Sequence, residues 1–388
     1  MMVTKTYEEI NTRIKNGEAV VVTAEEILGI IDEIGIEEAT RKVDVVTTAT
    51  FGPMCSSGAF LNFGHSSPPI RMEHVMLNQV EAYAGLAAVD AYIGATQESV
   101  DRGYEYGGAH VICDLIDGKQ VHLKARAKGT DCYPRKEIDT YITKDDINEA
   151  YIYNPRNCYQ NYNAAINTSG KRLYTYMGVL SANQGNVTYS TSGELSPLLN
   201  DPLYRTIGIG TRIFLGGAIG YVSWMGTQFK SGAPRGENDV PLTPAGTLAL
   251  SGDLKAMSTK YIKPAVFEHY GTSMFVGVGI PIPVLDEDIM RHLSIRNSDI
   301  TTNVIDYSDP NHGSIKTVTY AELRSGTVDI DGKKIKTSSL SSLKKAREIA
   351  AELKSWILKG EFMIQEPVHQ FEEGNTLKGL KDVKKEVK

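Results

Sequence analysis

The sequence has few cysteines, no long hydrophobic segment and no concentration of basic residues. Four cysteines in 388 residues are too few for a disulfide framework, and no charged and then apolar leader precedes Thr4. The uncharged run at residues 213–229 contains four glycines and predicts buried core instead of a membrane span. We therefore expect a cytoplasmic protein with no membrane partner.

Positive charge is also scarce, since 41 Lys and Arg face 47 Asp and Glu and the net charge is −6. Phosphate binding needs clustered Lys and Arg, so we expect no nucleic-acid partner. A small anionic substrate would need local cations. No Cys-x-x-Cys occurs and the histidines are scattered, so the sequence predicts no structural zinc site.

The order of elements predicts an α/β or α+β fold with mixed sheets and a group of N-terminal helices. Thr23 and Glu26 form a capping box that opens the second helix, and Gly35 closes it. The chain is long enough for two domains. The expected helices are residues 7–15, 24–34 and 36–42.

Three segments in the middle of the chain carry further patterns. Residues 107–128 predict a bulged hairpin around Asp117-Gly118, with Cys113 on its apolar face. Residues 151–176 are crowded with Tyr and Asn and predict loops and short strands that line a polar pocket or an interface. Residues 207–283 alternate Gly with β-branched residues, which allows backbones or a ligand to approach closely.

A smaller C-terminal unit begins near Ser298. It combines a strand at 315–320, a hairpin at Asp331-Gly332 and a helix at 340–359 that starts at Ser338 or Ser339 and stops at Gly360. The predicted division is a catalytic domain at 1–297, an α+β unit at 298–371 packed on it, and a flexible tail at 372–388.

Cys55 and Cys132 each follow a predicted strand and lie in a loop rich in Gly, Ser or Pro. A strand end fixes the backbone while the loop leaves the sulfur open to substrate, which suits a reactive thiolate. A lone cysteine is more often a small buried hydrophobe, and this reading is favoured for Cys113 and Cys158. The groups that stabilise a thiolate are cations near Cys132 and backbone N–H groups near Cys55. They are Lys124, Arg126, Lys128 and Arg135 for Cys132, and Gly52, Ser56, Ser57 and Gly58 for Cys55.

Several rare motifs occur in one order along the chain. They are DVVTTATFGPMCSSGA at 44–59, NFGH at 62–65, PPI at 68–70, GTDCYP at 129–134 and IGIGT at 207–211. In these motifs the chain resembles the homocysteine biosynthesis proteins of methanogenic archaea and anaerobic bacteria, in the form without C-terminal CBS domains. The resemblance extends from the N-terminus to about Phe371.

The resemblance implies conversion of aspartate semialdehyde and a sulfide-level sulfur donor into homocysteine, through sulfur held on a cysteine as a persulfide. It assigns the reactive cysteine to Cys132 and the second functional cysteine to Cys55. An aldehyde carbon is more oxidised than a thiol carbon, so the reaction needs a reductant. The resemblance implies a small ferredoxin-like partner that supplies the electrons.

Other residues are candidates for the same site. His65 is a candidate proton donor to the aldehyde oxygen, and a capping or core role fits it equally well. Candidates for binding the substrate are Ser56 and Ser57 and, for its carboxylate, three arginines, although an Arg is more often part of an ion pair. These arginines are Arg71, Arg205 and Arg212.

Two other functions stay open from the sequence. In one, an iron–sulfur cluster held by Cys55, Cys132 and a further thiolate carries the sulfide, although no cofactor is required by the residues themselves. In the other, the chain only docks a ferredoxin and has no catalytic role. A two-cysteine mechanism predicts that the Cα atoms of Cys55 and Cys132 lie within about 7 Å of each other, near His65 and an arginine. The sequence leaves monomer and homo-oligomer open.

Overall fold

Helices cover mixed β-sheets in the computed structural model, which describes residues 4–381. This arrangement confirms the expected α/β class. No helix in the described part of the chain is long and apolar enough to cross a membrane. The α-helices found there are α1 (Tyr7–Asn16), α2 (Glu26–Lys42), α3 (Gly108–Ile116), α4 (Pro197–Asn200), α5 (Glu287–His292), α6 (Tyr320–Arg324) and α7 (Leu343–Leu358).

The strands of residues 4–381 alternate irregularly with these helices and with 3-10 turns at Lys144–Asp146, Gly193–Leu195 and Leu254–Ala256. They are β1 (Val21–Thr23), β2 (Val45–Pro53), β3 (Gly58–Asn62), β4 (His74–Leu77), β5 (Val80–Ala82), β6 (Asp90–Gly94), β7 (Glu98–Ser99), β8 (Gly103–Gly107), β9 (Val121–Arg126), β10 (Glu137–Ile142), β11 (Glu149–Asn157), β12 (Ala164–Ile166), β13 (Leu173–Thr175), β14 (Gly178–Leu180), β15 (Val187–Tyr189), β16 (Arg212–Leu215), β17 (Ala218–Met225), β18 (Leu248–Asp253), β19 (Ile262–Phe267), β20 (Gly271–Pro283), β21 (Thr301–Asp306), β22 (Ser314–Thr319), β23 (Thr327–Ile330) and β24 (Lys333–Ser339).

Three sheets organise the described chain. The large sheet has the order β1-β2-β20-β16-β17-β18-β11-β3-β6, with β19 paired to β20. The second sheet is β10-β9-β4-β5-β7-β8, and the third is β22-β21-β12-β15-β24-β23. A two-stranded ribbon, β13-β14, completes the set.

The large sheet is buried because helices cover its β1-β2-β20 side. Helices α1, α2, α5 and α7 share one hydrophobic core with these strands, while α3 and the second sheet share another core with the rest of the large sheet. Strand β2 is buried along almost its whole length, and the hydroxyls of two of its threonines are hydrogen-bonded to the elements that pack on it. The hydroxyl of Thr47 donates to the carbonyl of Ala350 at 3.0 Å, and that of Thr48 to the carbonyl of Ile280 at 2.7 Å.

The N-terminal helices agree with the sequence prediction. The N–H of Thr23 donates to the carboxylate of Glu26 at 2.7 Å, and the N–H of Glu26 donates to the Thr23 hydroxyl at 3.2 Å. This is the expected capping box. Helix α2 is interrupted at Gly35, whose φ of 76° is left-handed, so the two predicted helices are joined across a kink.

The predicted hairpin at 107–128 is wrong, because residues Gly108–Ile116 form helix α3. This segment is apolar on nearly every face, so its periodicity does not separate a buried helix from a buried strand. Gly108 begins the helix against β6, where a Cβ would lie 1.9 Å from the carbonyl oxygen of Gly94. Gly118, with φ 73°, follows the helix end and satisfies its last carbonyls instead of turning a hairpin.

Cys113 lies on α3 and is buried, with its Sγ 3.7 Å from the carbonyl oxygen of Ile262. Burial raises the pKa of its thiol to about 12, so the thiol is neutral at physiological pH. We expect Cys113→Ala to lower the free energy of unfolding by about 1–2 kcal/mol through a small cavity and to leave turnover unchanged. Urea unfolding together with steady-state activity checks this, and an inactive variant of normal stability would contradict it.

The C-terminal elements form much as predicted. Strand β22 and the β23-β24 hairpin are present, and Asp331 and Gly332 at its turn have φ of 52° and 77°, as a type I′ turn requires. The N-cap of α7 is Ser342, not Ser338 or Ser339, because β24 continues to Ser339.

The division of the chain at residue 298 stays a prediction. Strands β12 and β15 precede this position and share the third sheet with β21 and β24, while α7 packs on β2. Of the predicted tail, Asn375 accepts from the N–H of Gly232 at 3.0 Å, and residues 382–388 lie outside the described residues.

Candidate functional site

Cys55 lies at the tip of a tight turn between β2 and β3. The turn is closed by the N–H of Ser57, which donates to the carbonyl of Met54 at 3.1 Å, and by the Ser57 hydroxyl, which donates to the same oxygen at 2.8 Å. The Sγ of Cys55 is half-buried and lies 3.1 Å from the hydroxyl oxygen of Ser273 in β20. Because the N–H of Ser57 is used in the turn and Gly52 is paired with Val276, the expected nest of free N–H groups does not form as predicted.

Cys55 opens into a cavity of about 400 Å³ between the large sheet and the third sheet. This volume is within the usual range of small-molecule sites. Its walls come from the β2-β3 turn, the end of β11, the β13-β14 ribbon and the residues after β15. The lining residues are Thr50, Pro53, Met54, Cys55, Ser56, Arg156, Cys158, Tyr159, Tyr162, Tyr176, Met177, Ser190, Thr191, Ser192, Ser196, Pro197, Gln228, Tyr270 and Leu340.

Tyrosine phenols form one wall of this cavity. The hydroxyl of Tyr162 donates to that of Tyr176 at 3.2 Å, and Tyr176 shares a 2.7 Å hydrogen bond with Tyr307. Burial raises the pKa of Tyr159, Tyr162, Tyr270 and Tyr307. These phenols are therefore neutral at physiological pH and act as hydrogen-bond donors.

Arg156, at the end of β11, is the one charged side chain among the described residues that line the cavity. Its position follows from strand pairing, since β11 runs antiparallel to β3 with Tyr153 opposite Gly58. The hydroxyl of Ser56 lies 3.4 Å from the carbonyl oxygen of Arg156. The turn that carries Cys55 and the strand that carries the guanidinium are thus held side by side.

Cys132 lies elsewhere, on an exposed loop after β9. Its Sγ is 3.5 Å from the hydroxyl oxygen of Thr130. The neighbouring Tyr133 stacks on His65 with ring centroids 6.1 Å apart, and the N–H of Arg135 donates to the carbonyl of Pro69 at 3.2 Å. Cys132 and His65 therefore share one exposed surface, and the exposed Arg71 lies two residues beyond Pro69 in that segment.

Cys132 is not among the residues that line the Cys55 cavity. Cys55 precedes the start of β3, whereas His65, beside the Cys132 loop, follows its end at Asn62. Five residues of strand span about 13 Å between their first and last Cα atoms. The expected approach of the two cysteines to disulfide distance and the roles of both thiols stay predictions.

Of the remaining predicted residues, the two serines lie beside Cys55 and two of the arginines lie away from the cavity. Ser56 and Ser57 lie in the Cys55 turn. Arg205 is engaged by Asp286 at 2.7 Å and by Asp288, and the guanidinium of Arg212 lies over the ring of Phe362 at 4.9 Å. Neither of these two arginines lines the cavity.

The four cysteines occupy separate environments. Cys158 lines the same cavity as Cys55 but is buried, which raises the pKa of its thiol, while Cys113 is on α3 and Cys132 is exposed. Among residues 4–381, no three His, Cys, Asp or Glu side chains gather as a group able to hold a metal. The cluster considered from the sequence, with Cys55, Cys132 and a third thiolate as ligands, therefore does not fit the residues of one described chain.

Sequence reasoning missed Arg156, Tyr159 and Ser192 as site residues. The one signal for Arg156 and Tyr159 was the Tyr- and Asn-rich composition of residues 151–176, which predicted a polar pocket, and Ser192 lies outside that segment. Tyr159, Tyr162 and Tyr176 do line the cavity, in agreement with that prediction.

A thiol at a strand end, facing a polar cavity with one cation and neutral phenols, defines a cysteine-dependent site for a small polar molecule. The comparisons with known proteins narrow this class. Residues 19–364 match the model of the family described as homocysteine biosynthesis enzyme, sulfur-incorporation, and the chain belongs to this family. No solved structure matches it.

Curated relatives support the same assignment. A protein of Methanosarcina acetivorans named L-aspartate semialdehyde sulfurtransferase is 53% identical over 382 residues, which cover 98% of this chain and 74% of that protein. A protein of Methanocaldococcus jannaschii with the same name is 53% identical over 384 residues, covering 95% of this chain and 73% of that protein. An uncharacterized protein of Methanothermobacter thermautotrophicus is 33% identical over 331 residues, 82% of this chain and 72% of its own length.

Proposed function

We propose that this chain converts L-aspartate semialdehyde into L-homocysteine with a sulfur atom that is held on cysteine as a persulfide. The observation that carries the proposal is the placement of Cys55 in a cavity with one cation and several phenols, in a chain 53% identical to relatives named for this substrate. The substrate is a small amino acid with a carboxylate, an ammonium group and an aldehyde. A cavity of about 400 Å³ has room for it and for a sulfur donor beside it.

The reaction needs electrons from an external donor, because the aldehyde carbon is more oxidised than the thiol carbon of the product. The aldehyde, a cysteine persulfide, four electrons and four protons give the thiol, one water and the free cysteine. Two of the electrons cleave the sulfur–sulfur bond, and two reduce the aldehyde carbon, whose oxygen leaves as water. We propose a small ferredoxin-like protein as the electron donor, and the cytoplasm as the location.

Cys55 is the cysteine that meets the aldehyde in this proposal. A persulfide on Cys55, formed by transfer of the outer sulfur of a donor persulfide that leaves as a thiol, places its terminal sulfur inside the cavity, where it attacks the aldehyde carbon and forms the carbon–sulfur bond. Two electrons then cleave the sulfur–sulfur bond and return the Cys55 thiolate, and two more reduce the carbon as its oxygen leaves as water. Cys132 is exposed and takes up sulfur at the surface, where a donor protein can reach it. His65 belongs to the Cys132 surface, so the proton donor to the aldehyde oxygen is assigned to a phenol in the cavity.

Tyr159 suits this role because its phenol interacts with both the Arg156 guanidinium and the Cys55 sulfur. Burial raises the pKa of Tyr159, Arg156 opposes this through charge and a hydrogen bond, and negative charge on Cys55 raises the pKa further. The phenol is therefore protonated when the Cys55 sulfur is anionic. A neutral donor beside the nucleophile stabilises the negative charge that develops on the aldehyde oxygen.

We expect Tyr159→Phe to lower kcat about 10- to 100-fold while the protein stays folded, because the ring is kept and only the hydroxyl is lost. The matched control is Tyr141→Phe, which removes the hydroxyl of an exposed tyrosine on β10. Steady-state homocysteine formation and thermal unfolding of both variants check this. Equal turnover of Tyr159→Phe and the unmodified protein would reject the role.

The proposed function itself is tested with purified protein under anaerobic conditions. Aspartate semialdehyde, a low-molecular-weight persulfide as sulfur donor and a low-potential reductant are supplied, and homocysteine is quantified by mass spectrometry with and without the chain. Formation that depends on the chain, the aldehyde and the reductant supports the proposal. Equal formation without the chain would contradict it.

A further inference from the structure

We propose that Arg156 and Ser192 form the subsite for the carboxylate of the substrate in the Cys55 cavity. The proposal rests on the proposed function for the identity of the ligand. The subsite is defined by two independent observations, a cation without a carboxylate partner and a buried hydroxyl without any partner.

The first observation is the state of the Arg156 guanidinium. Its Nε donates to the hydroxyl of Thr227 at 2.9 Å, and the group interacts with the phenol of Tyr159. Within residues 4–381 it forms no ion pair, and no Asp or Glu lines the cavity. By contrast, Arg205 is fully engaged by Asp286 and Asp288.

Thr227 and Tyr159 fix the guanidinium without neutralising its charge. A planar guanidinium held in this way presents its remaining N–H groups in the geometry that binds a carboxylate with two parallel hydrogen bonds. The cation is thus already positioned for an anion that the described chain does not itself provide.

The second observation is Ser192, which lines the same cavity. Its side chain is 1% exposed, and its hydroxyl has no hydrogen-bond partner. It precedes the 3-10 turn at Gly193–Leu195 but does not cap it, because the neighbouring Thr191 accepts from the N–H of Gly193 at 2.8 Å. Buried hydroxyl groups are nearly always hydrogen-bonded, so an unpaired one on a cavity wall points to a ligand atom.

The two groups suit an amino acid whose other end reacts at Cys55. The cation and the hydroxyl both donate to an anion, and neither reacts with an aldehyde under the conditions of the reaction. The carboxylate is the one anionic group of aspartate semialdehyde, so it is the group that these two residues bind. With the carboxylate bound there, the aldehyde carbon at the other end of the substrate points toward Cys55.

A matched pair of unreactive ligands tests the subsite by calorimetry. L-Homoserine resembles the product with oxygen in place of sulfur, and 3-aminopropan-1-ol is the same molecule without the carboxylate. We expect the unmodified protein to bind L-homoserine about 10- to 100-fold more tightly than the amino alcohol. In Arg156→Met this preference disappears through weaker binding of L-homoserine alone, Arg156→Lys restores part of it, and Ser192→Ala reduces it.

The control is Arg296→Gln, which removes an exposed arginine paired with Asp32 at 2.7 Å and leaves the preference unchanged. Equal binding of both ligands by the unmodified protein, no binding of L-homoserine, or a preference that survives in Arg156→Met would overturn the subsite. These outcomes do not depend on turnover. If the preference follows Arg156 but no homocysteine is formed, the proposed function fails and the carboxylate subsite stands.

Discussion

Cys55→Ala is expected to abolish homocysteine formation, with a loss of about a thousandfold or more. The reason is that Cys55 is the one thiol that is both accessible and placed in the described cavity, since Cys158 is buried and Cys132 lies outside it. Without the thiol there is no sulfur nucleophile at the aldehyde. The assay is anaerobic steady-state turnover, with folding monitored by circular dichroism.

Cys55→Ser is the matched variant for this prediction. Serine keeps the size of the side chain and its contact with Ser273, which lies 3.1 Å from Sγ, but it cannot hold sulfur. We expect Cys55→Ser to be as inactive as Cys55→Ala, while Cys113→Ala stays active. Normal turnover in a folded Cys55→Ser protein would show that the cavity thiol has no part in catalysis.

The second large effect is expected for Cys132→Ala, which should remove homocysteine formation and leave the fold intact. An exposed loop side chain with one 3.5 Å contact to Thr130 contributes little packing, so the free energy of unfolding should change by no more than about 0.5 kcal/mol. The measurement is turnover together with the urea midpoint. Retained turnover in the folded variant would exclude a functional role for this thiol.

The separation of the two cysteines makes one further comparison informative. Because Cys132 does not line the cavity that contains Cys55, we expect sulfur to pass between them either from one chain to a second copy or through movement of the Cys132 loop. Mixing Cys55→Ala with Cys132→Ala restores turnover in the first case, because each chain supplies the thiol that the other lacks. It does not restore turnover in the second.

Local sequence signals predicted much of the fold where one short segment determines the structure. The Thr23 and Glu26 capping box and the turn at Asp331-Gly332 depend on neighbouring residues, and both are present. The pair Asp117-Gly118 has the same composition as Asp331-Gly332 but ends a helix. What differs is the preceding segment, which alternates between polar and apolar residues in β23 and is apolar on nearly every face in α3, so the turn pair alone did not decide the structure.

The site was predicted only in part for a similar reason. The Cys55 loop could be recognised because its strand, turn and thiol are contiguous. Arg156 is about a hundred residues further along the chain and reaches Ser56 only because β11 pairs with β3. Of the predicted arginines, Arg205 does not reach the cavity because it is held by Asp286 and Asp288. Pairing across such sequence distances is set by the whole sheet and is not visible in a local pattern.

The most direct test of the account is a single turnover with labelled sulfur. The protein is loaded anaerobically with isotopically labelled persulfide, the labelled cysteine is identified by peptide mass spectrometry, and aspartate semialdehyde and reductant are then added. The account predicts that the label on Cys55 is lost at the rate at which labelled homocysteine appears. Label that stays on Cys55 while homocysteine accumulates would contradict it.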